Sequence, residues 1–112
     1  MIMDFRNTTT KELVCLSVQG DKDAFSELLN RHQKYIFSLA YKLTGNWDDA
    51  SEITQRTFIS AYKGITNFKG GSAISTWFYR ITYNRAIDLR RERARLREFS
   101  ITDAVILGKM VC

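Results

Sequence analysis

Arginine is the residue of this chain best suited to chemistry. Arg80, Arg85, Arg90, Arg91, Arg93, Arg95 and Arg97 all lie between residues 72 and 98, against Asp88, Glu92 and Glu98 alone. Seven against three leaves that stretch at +4, nearly all of the formal net charge of +5. A planar guanidinium matches phosphate oxygens with two parallel donors and stacks on bases. A solvated helix end with internal pairs, such as Arg85 to Asp88 or Asp88 to Arg91, is the plainer reading of the same run. Aromatic residues shift the balance. Phe68 stands before a glycine-containing loop, and Trp77, Phe78, Tyr79 and Tyr83 follow it. Rings beside a cationic groove suit single-stranded nucleic acid, each stacked base contributing about 1–3 kcal/mol and the phosphates a salt-dependent term. Helical periodicity puts Trp77 and Phe78 in the core and leaves Tyr79 and Tyr83, four apart and off that stripe, open to a surface role. Asn84 follows Trp77 and Ile81 at helical spacing. It is expected to face partly inward, where its amide needs a partner in the loop or on a base edge.

A second constellation is Glu52, Gln55, Arg56 and Ile59. An isoleucine on a polar face fits a modest protein interface with an apolar centre, or an ordinary surface. Catalytic and metal chemistry have little to work with. His32 is the one histidine, expected at or near the surface, and Cys15 and Cys112 are the two cysteines. These make no triad, no disulfide scaffold and no four-ligand zinc site, so neither a metal nor a cofactor is expected. Cys15 is expected to be a small core residue and Cys112 a free thiol. No apolar run approaches the roughly 18 residues of a membrane span, and the first residues do not read as a secretory signal. The expected location is the cytoplasm.

These side chains need helices to position them. The chain has 112 residues, 45% hydrophobic and 26% charged, which suits one globular domain rather than a disordered segment. It has no proline, and the apolar spacing between its glycines is helical. A first helix is expected to start between Thr8 and Thr10, with Thr9 and Glu12 as a capping box and Gly20 past its end. Asp21 caps a second, whose stripe is Phe25, Leu28, Leu29, Ile36, Leu39, Ala40 and Leu43, and which Gly45 ends. Asn46 caps a third, with Asp48 and Asp49 at the favourable end of its dipole. Its stripe is Ala50, Ile53, Thr57, Phe58, Ala61, Tyr62 and Ile65. Residues 66–72 form the clearest loop. A fourth helix is expected from about Ala73 or Ser75 to about Glu98, with Ile74, Trp77, Phe78 and Ile81 inward. The fold class is therefore all-α: a compact bundle of about four helices, the last long and arginine-rich. Residues 1–98 read as the helical domain, and 99–112 as an apolar tail or truncated linker.

Three stretches, in this order and at these separations, resemble region two of bacterial sigma factors of the extracytoplasmic-function class. Gly20-Asp21-Lys22-Asp23-Ala24-Phe25-Ser26-Glu27-Leu28 is similar to the family's Gly-Asp-x-x-Ala-Phe-x-x-Leu. Asp49-Ala50-Ser51-Glu52-Ile53-Thr54-Gln55-Arg56-Thr57-Phe58 is similar to Asp-Ala-Glu-Asp-Leu-x-Gln-Glu-x-Phe. Phe68-Lys69-Gly70, then Ser75-Thr76-Trp77-Phe78-Tyr79-Arg80-Ile81 with Asn84, Asp88 and Arg91, resembles the family's Phe-x-Gly loop and the helix after it. The resemblance runs from about residue 12 to about residue 95.

The resemblance implies a transcription initiation domain and not an enzyme. Its third helix would dock on the clamp helices of the beta-prime subunit of core RNA polymerase through Asp49, Glu52, Gln55, Arg56 and Ile59. Phe68, Lys69, Gly70, Ser72, Tyr79 and Asn84 would line a pocket for a flipped base of the promoter minus-ten element, on the non-template strand. Arg80, Tyr83, Arg85, Arg90 and Arg91 would track the strand's backbone. An anti-sigma protein is a further implied partner. Two positions depart from the pattern: Ser51 stands where an acid is usual, and Arg56 where the acid after the glutamine is usual, so the docking face is less acidic. A complete factor of this class carries a second domain that reads the minus-thirty-five element, for which 112 residues leave no room. The expectation is a fragment, or a protein that lost that domain. The competing reading is a sigma-like module that binds an anti-sigma protein or polymerase without productive DNA contact. A helix-turn-helix reader of duplex DNA fits poorly, because a glycine loop and a long helix replace the tight turn.

Overall fold

The computed structural model describes residues 5–111, with side chains described to residue 98. Four helices follow one another: α1 (Thr10–Val18), α2 (Lys22–Thr44), α3 (Trp47–Gly64) and, after a 3-10 turn at Ile65–Asn67, α4 (Ile74–Val111). The expected caps form. Thr9 Oγ1 accepts from the Glu12 amide at 3.2 Å, Asp21 Oδ1 from Ala24 at 3.0 Å and Asn46 Oδ1 from Asp49 at 3.1 Å. Each satisfies an amide that the first helical turn leaves without a partner. Gly45 ends α2 with φ +66°, a left-handed conformation that a side chain would strain.

Contacts along the helices fix their directions. Phe25 meets Tyr62 near one end of α2, and Phe37 meets Trp47 near the other, so α2 and α3 run antiparallel. Arg85 reaches Ser60 while Glu92 reaches Arg56, so α3 and α4 are antiparallel too. His32 lies 5.0 Å from Phe78, and Arg90 reaches the Leu43 carbonyl, which makes α2 and α4 parallel. α1 closes one end, with Leu13 in the core and Phe5 buried beside it. Arg31 holds the entering chain by donating to the Phe5 carbonyl at 2.8 Å.

The inward stripe of α4 is Ile74, Phe78, Thr82 and Leu89. Thr54, Thr57 and Thr82 are buried without stranding a hydroxyl, because each donates to the carbonyl four residues earlier. Beyond Leu89 no described residue is buried, and Leu96 is 65% exposed. The outer half of α4 therefore leaves the packed body, and the molecule measures 69 × 30 × 25 Å.

Four sequence expectations need correction. α4 does not stop near Glu98 but continues to Val111. Cys15 is exposed rather than in the core, because α1 turns Leu13 and Ser17 inward. Tyr62 is exposed, with its ring against Phe25 at the surface. Asn84 is exposed as well: the buried stripe is centred on Phe78 and Thr82, which leaves Trp77 and Ile81 at its edge and Asn84 beyond it. Cys112 and the apolar residues after Glu98 lie outside the described side chains.

Candidate functional site

The exposed surface of α4 is divided lengthwise by its two neighbours. On the α2 side a groove of about 300 Å³ runs between Leu43, Thr44 and Asp49 on one wall and Tyr83, Arg90, Arg93 and Arg97 on the other. Ala86 and Leu89 make its apolar floor. Above it stand Tyr79 and Tyr83, 41% and 44% exposed, with ring centroids 6.5 Å apart and planes within 4° of parallel. One helical turn separates them, so the helix itself holds the two rings in register. Arg90 donates to the Leu43 carbonyl at a long 3.5 Å, and Arg97 is exposed with no partner among the described residues. Two flat rings lead into a groove in which Arg90 and Arg97 are open to anions, while Arg93 is held by Asp49.

The α3 side differs in content. A groove of about 470 Å³ lies between Arg56, Ile59, Ser60 and Lys63 on α3 and Arg85, Asp88, Arg91 and Arg95 on α4. Ile59 is 56% exposed on its rim. Arg85, expected to track a nucleic-acid backbone, instead faces this groove. It donates to Asp88 at 3.0 Å and to Ser60 at 3.5 Å, and its Nε is buried without an acceptor. Arg91 is exposed on the same side.

Towards the N-terminal end of α3 an ionic network ties the two helices together. Arg56 grips Glu92 with two donors, at 3.0 and 2.9 Å, and reaches Glu52 at 3.0 Å. Arg93 meets Asp49 at 2.6 Å and Glu52 at 3.7 Å. The Arg56 hydrogen bond holds the Glu92 carboxyl below the usual glutamate range, and the same bond raises the Arg56 guanidinium. Three residues expected on a docking face, Asp49, Glu52 and Arg56, are thus engaged with α4. Gln55 and Ile59 remain exposed.

At the start of α4 the loop is open. Lys69 and Gly70 are exposed, Gly70 bends the chain at φ +75°, and Ser72 is half-buried. Phe68 turns its ring onto Trp77, 5.3 Å away, and packs against the core. Arg80 and Asn84 are exposed on the outer surface of α4 without partners among the described residues. The structure thus brings Tyr79, Tyr83 and Arg90 together and leaves Arg85 and Arg91 on the other side. The sequence gives no role to Glu92 or Lys63, and places Leu43 only on the apolar stripe of the second helix. Glu92 and Arg56 lie 36 residues apart, and a lone acid in an arginine run was the available signal.

Comparison with known proteins gives these surfaces a context. Residues 28–96 match the family model described as Sigma-70 region 2. The chain is 37% identical over 79 residues to the ECF RNA polymerase sigma factor SigE of Mycolicibacterium smegmatis, covering 70% of this chain and 30% of that protein. It is 39% identical over 75 residues to the ECF RNA polymerase sigma factor SigW of Bacillus subtilis, covering 67% of this chain and 40% of that protein. It therefore spans well under half the length of either relative. Among solved structures it is similar to an engineered region 2 of sigmaE in complex with GTAAAA. The TM-score is 0.74 at 31% identity, covering 83% of this chain and 96% of the other.

Proposed function

This chain belongs to the sigma-70 region 2 family, and from that premise we propose that it recognises and melts the promoter minus-ten element while attached to core RNA polymerase. The observation that carries the DNA half of this reading is the exposed parallel pair Tyr79 and Tyr83 at the head of the arginine groove. A base freed from a duplex stacks against such rings, and the phosphates that follow it meet Arg90 and Arg97. Unstacking and flipping a base costs a few kcal/mol, and each stacked base returns about 1–3 kcal/mol, so two stacks with a few phosphate contacts offset it. The loop supplies the pocket for the flipped base: Lys69, Gly70 and Ser72 line it, with Phe68 as its packed floor against Trp77. Arg80 and Asn84 border the strand's outer path.

The polymerase half rests on α3. Ile59 and Gln55 form the exposed part of the docking face, and its partner is the pair of clamp helices of the beta-prime subunit. Asp49, Glu52 and Arg56 shape that face from within the ionic network rather than as free charges. The domain makes and breaks no bond, because the polymerase carries the chemistry. It works in the cytoplasm, where the polymerase is, and an anti-sigma protein that covers Ile59 would compete with docking.

The test is a titration with a fluorescent single-stranded GTAAAA oligonucleotide, with and without core RNA polymerase, across salt. With about 3–5 phosphates contacted, log K should fall against log salt with a slope of roughly −2 to −3.5. No preference for this strand over a scrambled one, even in the polymerase complex, would sink the DNA half and leave a protein-interaction module.

A further inference from the structure

Most charges in the α3–α4 groove are matched inside the protein. Arg56 is engaged by Glu92 and Glu52, and Arg85 by Asp88. Lys63, Arg91 and Arg95 make no hydrogen bond or ion pair among the described residues. All three are exposed and line the same groove, and Arg95 acts on Glu92 only through Coulombic attraction. Ile59 stands on the rim beside them, 56% exposed. Within the groove the Arg85 Nε is buried with no acceptor. Orphaned donors are uncommon in native proteins and call for an explanation. An apolar rim residue, unmatched cations and an unsatisfied donor together make a surface waiting for a complement.

We infer that this groove receives a helix of the protein partner that carries carboxylates about one turn apart beside an apolar residue. This rests on the polymerase-docking reading above and gives the docking segment its chemistry. The apolar residue covers Ile59, and the carboxylates pair with Lys63, Arg91 and Arg95. Arg91 and Arg95 lie four apart on α4, so they present consecutive turns of one face to an acidic helix with the same spacing. A nucleic-acid strand suits this groove less, because no aromatic ring lines it and Ile59 offers nothing to a phosphate. Charge pairs at the rim of such an interface set association rate and salt dependence as well as affinity.

The experiment measures binding of the full chain to core RNA polymerase across salt. It compares wild type with Lys63→Glu/Arg91→Glu/Arg95→Glu, with the neutral Gln triple, and with Ile59→Glu. A control, Lys11→Glu/Lys22→Glu/Lys42→Glu, makes the same change of net charge elsewhere on the surface. The Glu triple should weaken binding at least about 30-fold and flatten its salt dependence, with the control within about threefold of wild type. The Gln triple should fall in between, and it decides the matter if circular dichroism shows the Glu triple unfolded. A triple that binds like wild type, while Ile59→Glu does not bind, overturns the acidic helix and leaves the docking face standing. Loss of oligonucleotide binding in place of polymerase binding assigns the groove to nucleic acid and overturns it as well. Failure of the wild-type chain to bind polymerase removes the docking reading and this inference with it.

Discussion

On the α2 side of α4, arginine lies beside tyrosine rings and an apolar floor; on the α3 side, it lies beside carboxylates and an isoleucine. Both sides draw on one run of seven arginines. What separates them is the neighbour. The α2-side groove has one carboxylate in its lining, Asp49, which Arg93 takes up, so Arg90 and Arg97 keep no ion pair among the described residues, while on the α3 side Arg85 meets Asp88 and Arg56 meets Glu92. A guanidinium already held by a carboxylate has donors engaged and its field offset, and so offers less to a phosphate. A free one beside an aromatic ring has both charge and a stacking surface to offer. On the function proposed above, one helix would carry a nucleic-acid strand and a protein partner at once, on its two sides.

The change with the largest effect removes what both sides share. Phe78 is fully buried where α2 and α4 meet, in contact with His32 and Trp77. Phe78→Ala should lower the unfolding free energy by about 3–5 kcal/mol in urea titrations and abolish both activities. Retention of either activity at wild-type stability would mean that α4 does not depend on this core. A smaller change separates the sides. Tyr79→Ala should weaken oligonucleotide binding by about 1–3 kcal/mol. Urea titration should place its stability within about 0.5 kcal/mol of wild type, since the ring is exposed. A third pair sharpens the contrast. Arg97→Gln should reduce the salt slope of oligonucleotide binding by about 0.7, whereas Arg95→Gln, on the α3 side, should leave it unchanged. Equal effects would merge the two grooves into one cationic surface.

The mildest perturbation is acid. The Arg56 hydrogen bond lowers the Glu92 carboxyl below its unfolded value. A depressed carboxyl contributes stability that is complete above its unfolded pKa and is lost as pH falls through the folded one. The outer half of α4 should thus loosen only below about pH 4. It would be seen as faster amide exchange over residues 90–98, with the buried half unaffected. Glu92→Gln should remove that share of the pH response, and an unchanged response would discount the Arg56 link.

Much of the fold was legible in the sequence because it is local. Thr9, Asp21 and Asn46 each lie three residues before the amide they cap, and Gly45 ends its helix by its own backbone freedom. The paired tyrosines were legible for the same reason, since one helical turn decides both their spacing and their direction. What failed depends on where the rest of the chain approaches. Periodicity allowed Asn84 to face inward because Trp77 and Ile81 are apolar. Packing is centred instead on Phe78 and Thr82, and the threonine hides its hydroxyl in the backbone. Cys15 has the size of a core residue, yet α1 offers Leu13 and Ser17 to the body. The sorting of the arginines was illegible altogether. Arg85 and Arg91 differ from Arg90 only in the helix they face, and the carboxylates that hold Arg93 come from the first turns of α3.

The most direct test of this division maps backbone amide shifts of the labelled chain during titration with the single-stranded GTAAAA oligonucleotide. The account predicts that shifts concentrate at Lys69, Gly70, Tyr79, Tyr83, Arg90 and Arg97, with Ile59, Lys63 and Arg95 still. Shifts centred on the α3 side, or spread evenly over every arginine of α4, would contradict it.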